Sequence, residues 1–76
     1  MPFNIFAQTG AKIRLLRKQQ GLSYRVMEDK SNVSRSYLLD MEKGQVNPTL
    51  GKLDDIARAL GVTVSELTRP DRPDLF

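Results

Sequence analysis

Apolar residues recur along this chain at helical spacing, in short blocks that open on a polar residue and mostly close on Gly or Asn. In the first block, "AKIRLLRKQQG", Ile13 and Leu16 lie three apart and Gly21 acts as a helix stop. Thr9 is placed to cap its start, and Leu15 widens the apolar face toward Phe3, Ile5 or Phe6 of an N-terminal arm. The second block starts at Ser23, a favoured N-cap. It covers Tyr24 to Lys30, with Met27 inward and Leu22 as a staple. Asn32 tolerates the left-handed backbone needed to leave a helix sharply. The third block follows Ser34 and runs from Arg35 to Lys43, ending at Gly44. Each helical residue advances about 100°, so Leu38 and Met41 share one stripe, with Ser36, Asp40 and Lys43 roughly opposite.

The loop "GQVNP" separates this from a fourth block, because Pro48 disfavours helix just before it. Thr49 caps the fourth helix, whose apolar face is Leu50, Leu53, Ile56, Ala57 and Leu60, and Gly61 ends it. Thr63 or its neighbour opens a short fifth helix, "VSEL". The pattern predicts an all-α fold, a compact bundle of five short helices. The expected organisation is an arm at residues 1–8, one domain at 9–69, and an irregular tail at 70–76 with two prolines. The second and third helices are joined by about three residues. That linker suits two short helices meeting steeply, as in a helix-turn-helix over residues 23–43.

Composition narrows the function. The 76 residues make one domain, and a domain of this size buries only about 60% of its unfolded surface. Cys and His are both absent, which removes disulfides, thiolate metal sites, the commonest metal ligand and the usual general base. Asp54-Asp55 and Glu28-Asp29 are adjacent carboxylates that do not face each other on a helix. With no glycine-rich phosphate loop and no metal-ligand spacing, no enzyme, cofactor or metal is expected. No apolar run approaches the roughly 18 residues of a membrane span, and "MPFNIFAQTG" lacks the order of a signal peptide, so a cytoplasmic location is expected. The net charge of +3 is uneven. Residues 1–52 hold nine Lys/Arg and four Asp/Glu, whereas 53–76 hold three and five. A basic front half fits an anionic partner, with nucleic acid first.

These blocks carry a family resemblance. "IRLLRKQQGLS" followed by "SNVSRSYLLDMEKGQVNPTLGKLDDIARALGVTVSEL" resembles the Cro/CI-type (XRE) helix-turn-helix DNA-binding regulators, over about residues 11–68. Three positions depart from that family's pattern: Tyr24 stands where Gln is common, Glu28 where the close helix crossing usually has Ala, and Asn32 where Gly is usual. At Glu28 either the side chain bends toward solvent or the helix pair opens slightly. The resemblance implies a lambda-repressor-like domain and an ion pair between Arg17 and Glu42. It also implies that Ser34, Arg35, Ser36 and Asp40 match the base-facing positions.

Groove chemistry supports such a set. The major groove of B-form DNA admits one helix and shows a distinct donor and acceptor pattern at each base pair. Arg35 reaches guanine O6 and N7 with two prongs, and Ser36 permits close approach. Asp40 accepts from cytosine N4, orients Arg35, or pairs with Lys43 on the free surface. Ser34 serves as a cap, a base contact, or both. Expected phosphate contacts are Tyr24 through its hydroxyl, then Arg25, Tyr37, Lys43, Asn47, Thr49 and Lys52. One reading helix covers few base pairs, so a homodimer on a near-palindromic double-stranded site is expected. Val62, Val64, Leu67, Leu75 and Phe76 are the candidate interface. The alternative is a module that uses the same fold to hold a regulatory protein partner, through Tyr24, Leu39 and Asp40.

Overall fold

Each helix begins where a side chain satisfies backbone N–H groups that the helix itself leaves free. In the computed structural model, which describes residues 4–69, five helices follow in order: α1 Ile5–Gln19, α2 Tyr24–Ser31, α3 Arg35–Glu42, α4 Leu50–Leu60 and α5 Val64–Thr68. No strand occurs among the described residues. The side chains of Ser23, Ser34 and Thr49 accept from Val26, Tyr37 and Lys52 N–H at 3.1–3.2 Å. Thr63 and Glu66 form a reciprocal capping box at α5.

The start of α1 differs from the expectation. Asn4, not Thr9, is the cap, and its Oδ1 accepts from Phe6 and Ala7 N–H at 3.0 and 3.2 Å. The helix therefore takes up residues 5–8 of the expected arm, and Thr9 is a buried residue inside it. Leu15 is half exposed, Ile5 and Phe6 are exposed as well, and Phe3 lies outside the described residues. Gly10 lies inside α1, where that helix crosses the end of α3. A β-carbon at Gly10 would overlap the Met41 carbonyl oxygen and stand 2.9 Å from that of Glu42. Gly44 completes the same crossing. Its φ is +71°, and a β-carbon there would lie 2.6 Å from Ala7 Cα.

The turn between α2 and α3 is built by polar groups. Asn32 adopts φ +59° and its N–H donates to the Glu28 carbonyl at 2.8 Å. Buried Ser31 donates to the Met27 carbonyl at 2.6 Å and accepts from Val33 N–H at 3.2 Å. Val33 is then fully buried beside Met27, Leu38, Ile56 and Ile13 in the common core. α1 packs on α3, α4 and α5; α2 packs on α3 and α4; α5 also packs on α4. Burying one such Leu or Ile side chain contributes about 1.5–3 kcal/mol.

The candidate interface residues at the far end divide into three groups. Leu67 is fully buried and belongs to the monomer core, so it is not available to a partner surface. Val62 and Val64 are half-buried against that core. Leu75 and Phe76, with the tail at 70–76, lie outside the described residues.

Gly10→Ala tests the crossing. The substitution favours an isolated helix by up to about 1 kcal/mol. It also forces a methyl group into the backbone of α3, and overpacking costs about 1–3 kcal/mol or more. A clear fall in the urea midpoint with unchanged m is expected. An unchanged midpoint would show that α1 and α3 do not approach so closely.

Candidate nucleic-acid interface

The outer face of α3 is exposed at Arg35, Ser36 and Asp40, while Leu38 and Met41 hold the inner face at 0% and 3% exposure. Ser36 and Asp40 are one turn apart. Asp40 makes no ion pair with Arg35 or Lys43 among the described residues, so both expected pairings are absent in the free protein. Ser34 lies at the α3 N-terminus as its cap. Lys43 is the C-cap of the same helix, and Arg25 is exposed on α2.

The positions toward α4 are arranged by local chemistry. Asn47 is exposed in the loop, and Thr49 uses its hydroxyl as the α4 cap. Lys52 Nζ lies 5.6 Å from the centroid of the half-buried Tyr37 ring, a cation–π contact between the start of α4 and α3.

The other end of α3 is held by a buried ionic cluster. Arg17 Nε lies 2.8 Å from Glu42 Oε2, and Arg17 Nη2 donates to Oε1 at 3.3 Å. The third guanidinium nitrogen, Nη1, donates to the Leu22 carbonyl at 2.9 Å. The two side chains are 8% and 4% exposed. One guanidinium thus joins α1, the turn before α2 and the last residue of α3. The hydrogen bond to Glu42 raises the Arg17 pKa above its ordinary value, and burial opposes it.

Tyr24, expected at a phosphate, is part of this cluster in the free protein. Its hydroxyl donates to Glu42 Oε1 at 2.7 Å, so its proton points inward. Arg17 Cζ stands 4.0 Å from the centroid of the Tyr24 ring, and Arg35 Cζ stands 5.7 Å from it. Burial first, and then the hydrogen bond to Glu42, raise the phenol above its usual value of 10.0.

Glu28 is exposed, and its carboxylate turns toward the start of α3. Its Oε2 accepts from Arg35 N–H at 3.0 Å, which places a carboxylate on the first residue of α3. A second unexpected tie runs from Gln20 Nε2 to the Leu60 carbonyl at 2.7 Å, joining the ends of α1 and α4. Neither tie has a periodic signal, because each depends on how two helices cross.

The described residues thus define a small all-helical domain with one exposed, rigidly backed helix after a tight turn. The chain belongs to the helix-turn-helix family, whose profile matches residues 13–67. The immunity repressor protein of Bacillus phage phi105 is 41% identical over 58 residues, which are 76% of this chain and 40% of the repressor. This chain therefore spans less than half of that protein's length. An uncharacterized helix-turn-helix-type transcriptional regulator, y4dJ, of Sinorhizobium fredii is 39% identical over 61 residues, 80% of this chain and 79% of that protein. Among solved structures, the restriction-modification controller protein C.AhdI from Aeromonas hydrophila superposes with a TM-score of 0.80 at 32% identity. The match covers 86% of this chain and 98% of that one. The DNA-binding domain of BldD superposes with a TM-score of 0.75 at 36% identity, over 90% of this chain and 99% of that one. Among the described residues no helix is long and apolar enough to cross a membrane, and no acidic cluster is placed to hold a metal ion.

Two predictions follow from the cluster. Arg17→Ala leaves a buried carboxylate without its partner, and breaking such a pair from one side costs about 3–5 kcal/mol. Chemical denaturation should show that loss, and a loss below about 1 kcal/mol would contradict the clamp. For Tyr24 the folded pKa lies above the unfolded one, so its contribution is fully present below pH 10 and is lost as pH rises through the folded value. The stability advantage of the wild type over Tyr24→Phe should therefore be constant from pH 7 to 9 and shrink above pH 10. An advantage that grows with alkalinity would contradict the inward hydrogen bond.

Proposed function

We propose that the chain is a non-enzymatic, sequence-specific regulator of transcription that binds double-stranded DNA in the cytoplasm. It works as a homodimer on a near-palindromic operator. The observation that carries this reading is the exposed Arg35, Ser36 and Asp40 face of α3, set on a helix whose opposite side is locked into the core. An α-helix with its side chains is roughly 10–12 Å across, which fits the roughly 12 Å width of the major groove. Arg35 sits at the leading end, where its fork reaches guanine O6 and N7. Ser36 admits close approach, and Asp40 accepts from a cytosine amine. Ser34 adds its hydroxyl at the rim while capping the helix.

Phosphates are held by Arg25, Tyr37, Lys43, Asn47, Thr49 and Lys52 around the groove edges, which fixes register without reading sequence. The net charge of +3 and the basic first 52 residues support that role. One such helix reads a short run of bases. Two copies spaced one turn of DNA apart supply the missing specificity. Half-buried Val62 and Val64 support a partner surface at the α4–α5 corner.

Selection of bound duplexes from a random pool tests this reading. A defined sequence with two inverted halves is expected, with affinity falling steeply as salt is added. Loss of the guanine contact in Arg35→Ala costs about 1–3 kcal/mol of discrimination. Its melting temperature should stay nearly that of wild type, because the side chain is exposed. Retained selectivity in that variant, or no captured duplex from the wild type, would overturn the assignment.

A further inference from the structure

The carboxylate at residue 28 has a role that the reading helix needs but does not itself supply. The first N–H groups of any helix have no partner within it, and their partial positive charge attracts anions. In α3 the Ser34 hydroxyl takes Tyr37 N–H at 3.2 Å, and Glu28 Oε2 takes Arg35 N–H at 3.0 Å. The donor and the acceptor lie seven residues apart, on two different helices. The contact therefore fixes α2 to α3 at the residue whose side chain leads into the groove. On its other side, Arg35 extends its guanidinium toward the Tyr24 ring, at 5.7 Å, and Tyr24 is tied by its hydroxyl to Glu42 at 2.7 Å. Main chain and side chain of Arg35 are thus oriented by separate partners on α2.

The charge matters as well as the bond. Helix N-termini are ready-made sites for phosphate oxygens. At α3 that place is already taken by an internal carboxylate, and Glu28 is exposed enough for its charge to be felt by an approaching duplex. A phosphate arriving at random meets repulsion where an uncharged cap would offer attraction. A duplex with the right bases still gains the contacts of Arg35.

We propose that Glu28 is a positioning and specificity-determining residue. Its oxygen pins the Arg35 peptide, and its charge disfavours sequence-blind phosphate contact at the start of α3. The charge effect rests on the DNA-binding reading above; the pinning does not. Neutral Glu28→Gln keeps an acceptor oxygen in nearly the same place, whereas Glu28→Ala removes it.

The test uses the full chain and two readouts. Amide hydrogen exchange at Arg35 reports the pin without any DNA. Slow exchange is expected in wild type and Glu28→Gln, with exchange about tenfold or more faster in Glu28→Ala, while buried Leu38 stays protected. Equal Arg35 exchange in wild type and Glu28→Ala would overturn the pin. Affinities for the selected duplex and for a shuffled duplex report the charge. In Glu28→Gln the shuffled duplex should bind about two- to fivefold tighter, the range of a single charge at a helix end, while the selected duplex changes less. The specificity ratio narrows accordingly, and the difference fades at high salt. An unchanged ratio, with wild type still selecting a sequence, would overturn the charge effect alone. A wild type that selects no sequence removes the DNA-binding reading and the charge effect together, with the pin still decided by exchange.

Discussion

The Arg17 guanidinium carries the architecture of this domain. Three of its groups are spent on two partners, the Glu42 carboxylate and the Leu22 carbonyl, and through them it ties α1 to the turn that follows it and to the distant end of α3. A buried charge of this kind is tolerated only when its desolvation is offset by close, complete hydrogen bonding. Here Glu42 also accepts from Tyr24, so both carboxylate oxygens are engaged. No buried side-chain nitrogen or oxygen among the described residues lacks a partner. The cluster fixes the end of α3 in space, and α3 is the helix that the functional reading depends on.

With its far end fixed by Glu42, α3 is fixed at its near end by Ser34 and Glu28 and along its length by Leu38 and Met41. An eight-residue helix is too short to be stable alone in water. Its order comes from these tertiary ties. That order matters for recognition, because every rotamer or backbone state frozen in advance lowers the entropy lost on binding. The outer face can remain polar and adaptable because the inner face and both ends carry the structural burden.

The parts of this arrangement legible in the amino-acid order are those governed by local rules. Ser23, Ser34, Thr49 and Thr63 begin helices where hydroxyl caps are expected, and Gly61 and Asn32 take the left-handed conformations that let helices end. The start of α1 is less legible, because Asn4 and Thr9 are both competent caps; the close approach of Gly10 to the Met41 and Glu42 carbonyls depends on how α1 crosses α3. Leu67 illustrates the same limit. Its apolar character is visible in sequence, but whether it faces this core or another copy depends on how α5 folds back onto α1 and α4. Tyr24 and Glu28 look out of place beside the family pattern. Their partners, Glu42 and the Arg35 N–H, become apparent only when α2 and α3 cross.

The most direct measurement is a nuclear magnetic resonance titration of the labelled chain with its selected duplex, read residue by residue. The largest shifts should fall on Ser34, Arg35, Ser36 and Asp40, with a second ring at Arg25, Lys43 and Thr49. The methyl groups of Leu38, Met41 and Leu67 should hold their positions, since the core that backs α3 is already formed. Shifts centred on Ile5 and Phe6, or on α5, with α3 unmoved, would contradict the claim that this helix is what meets the DNA.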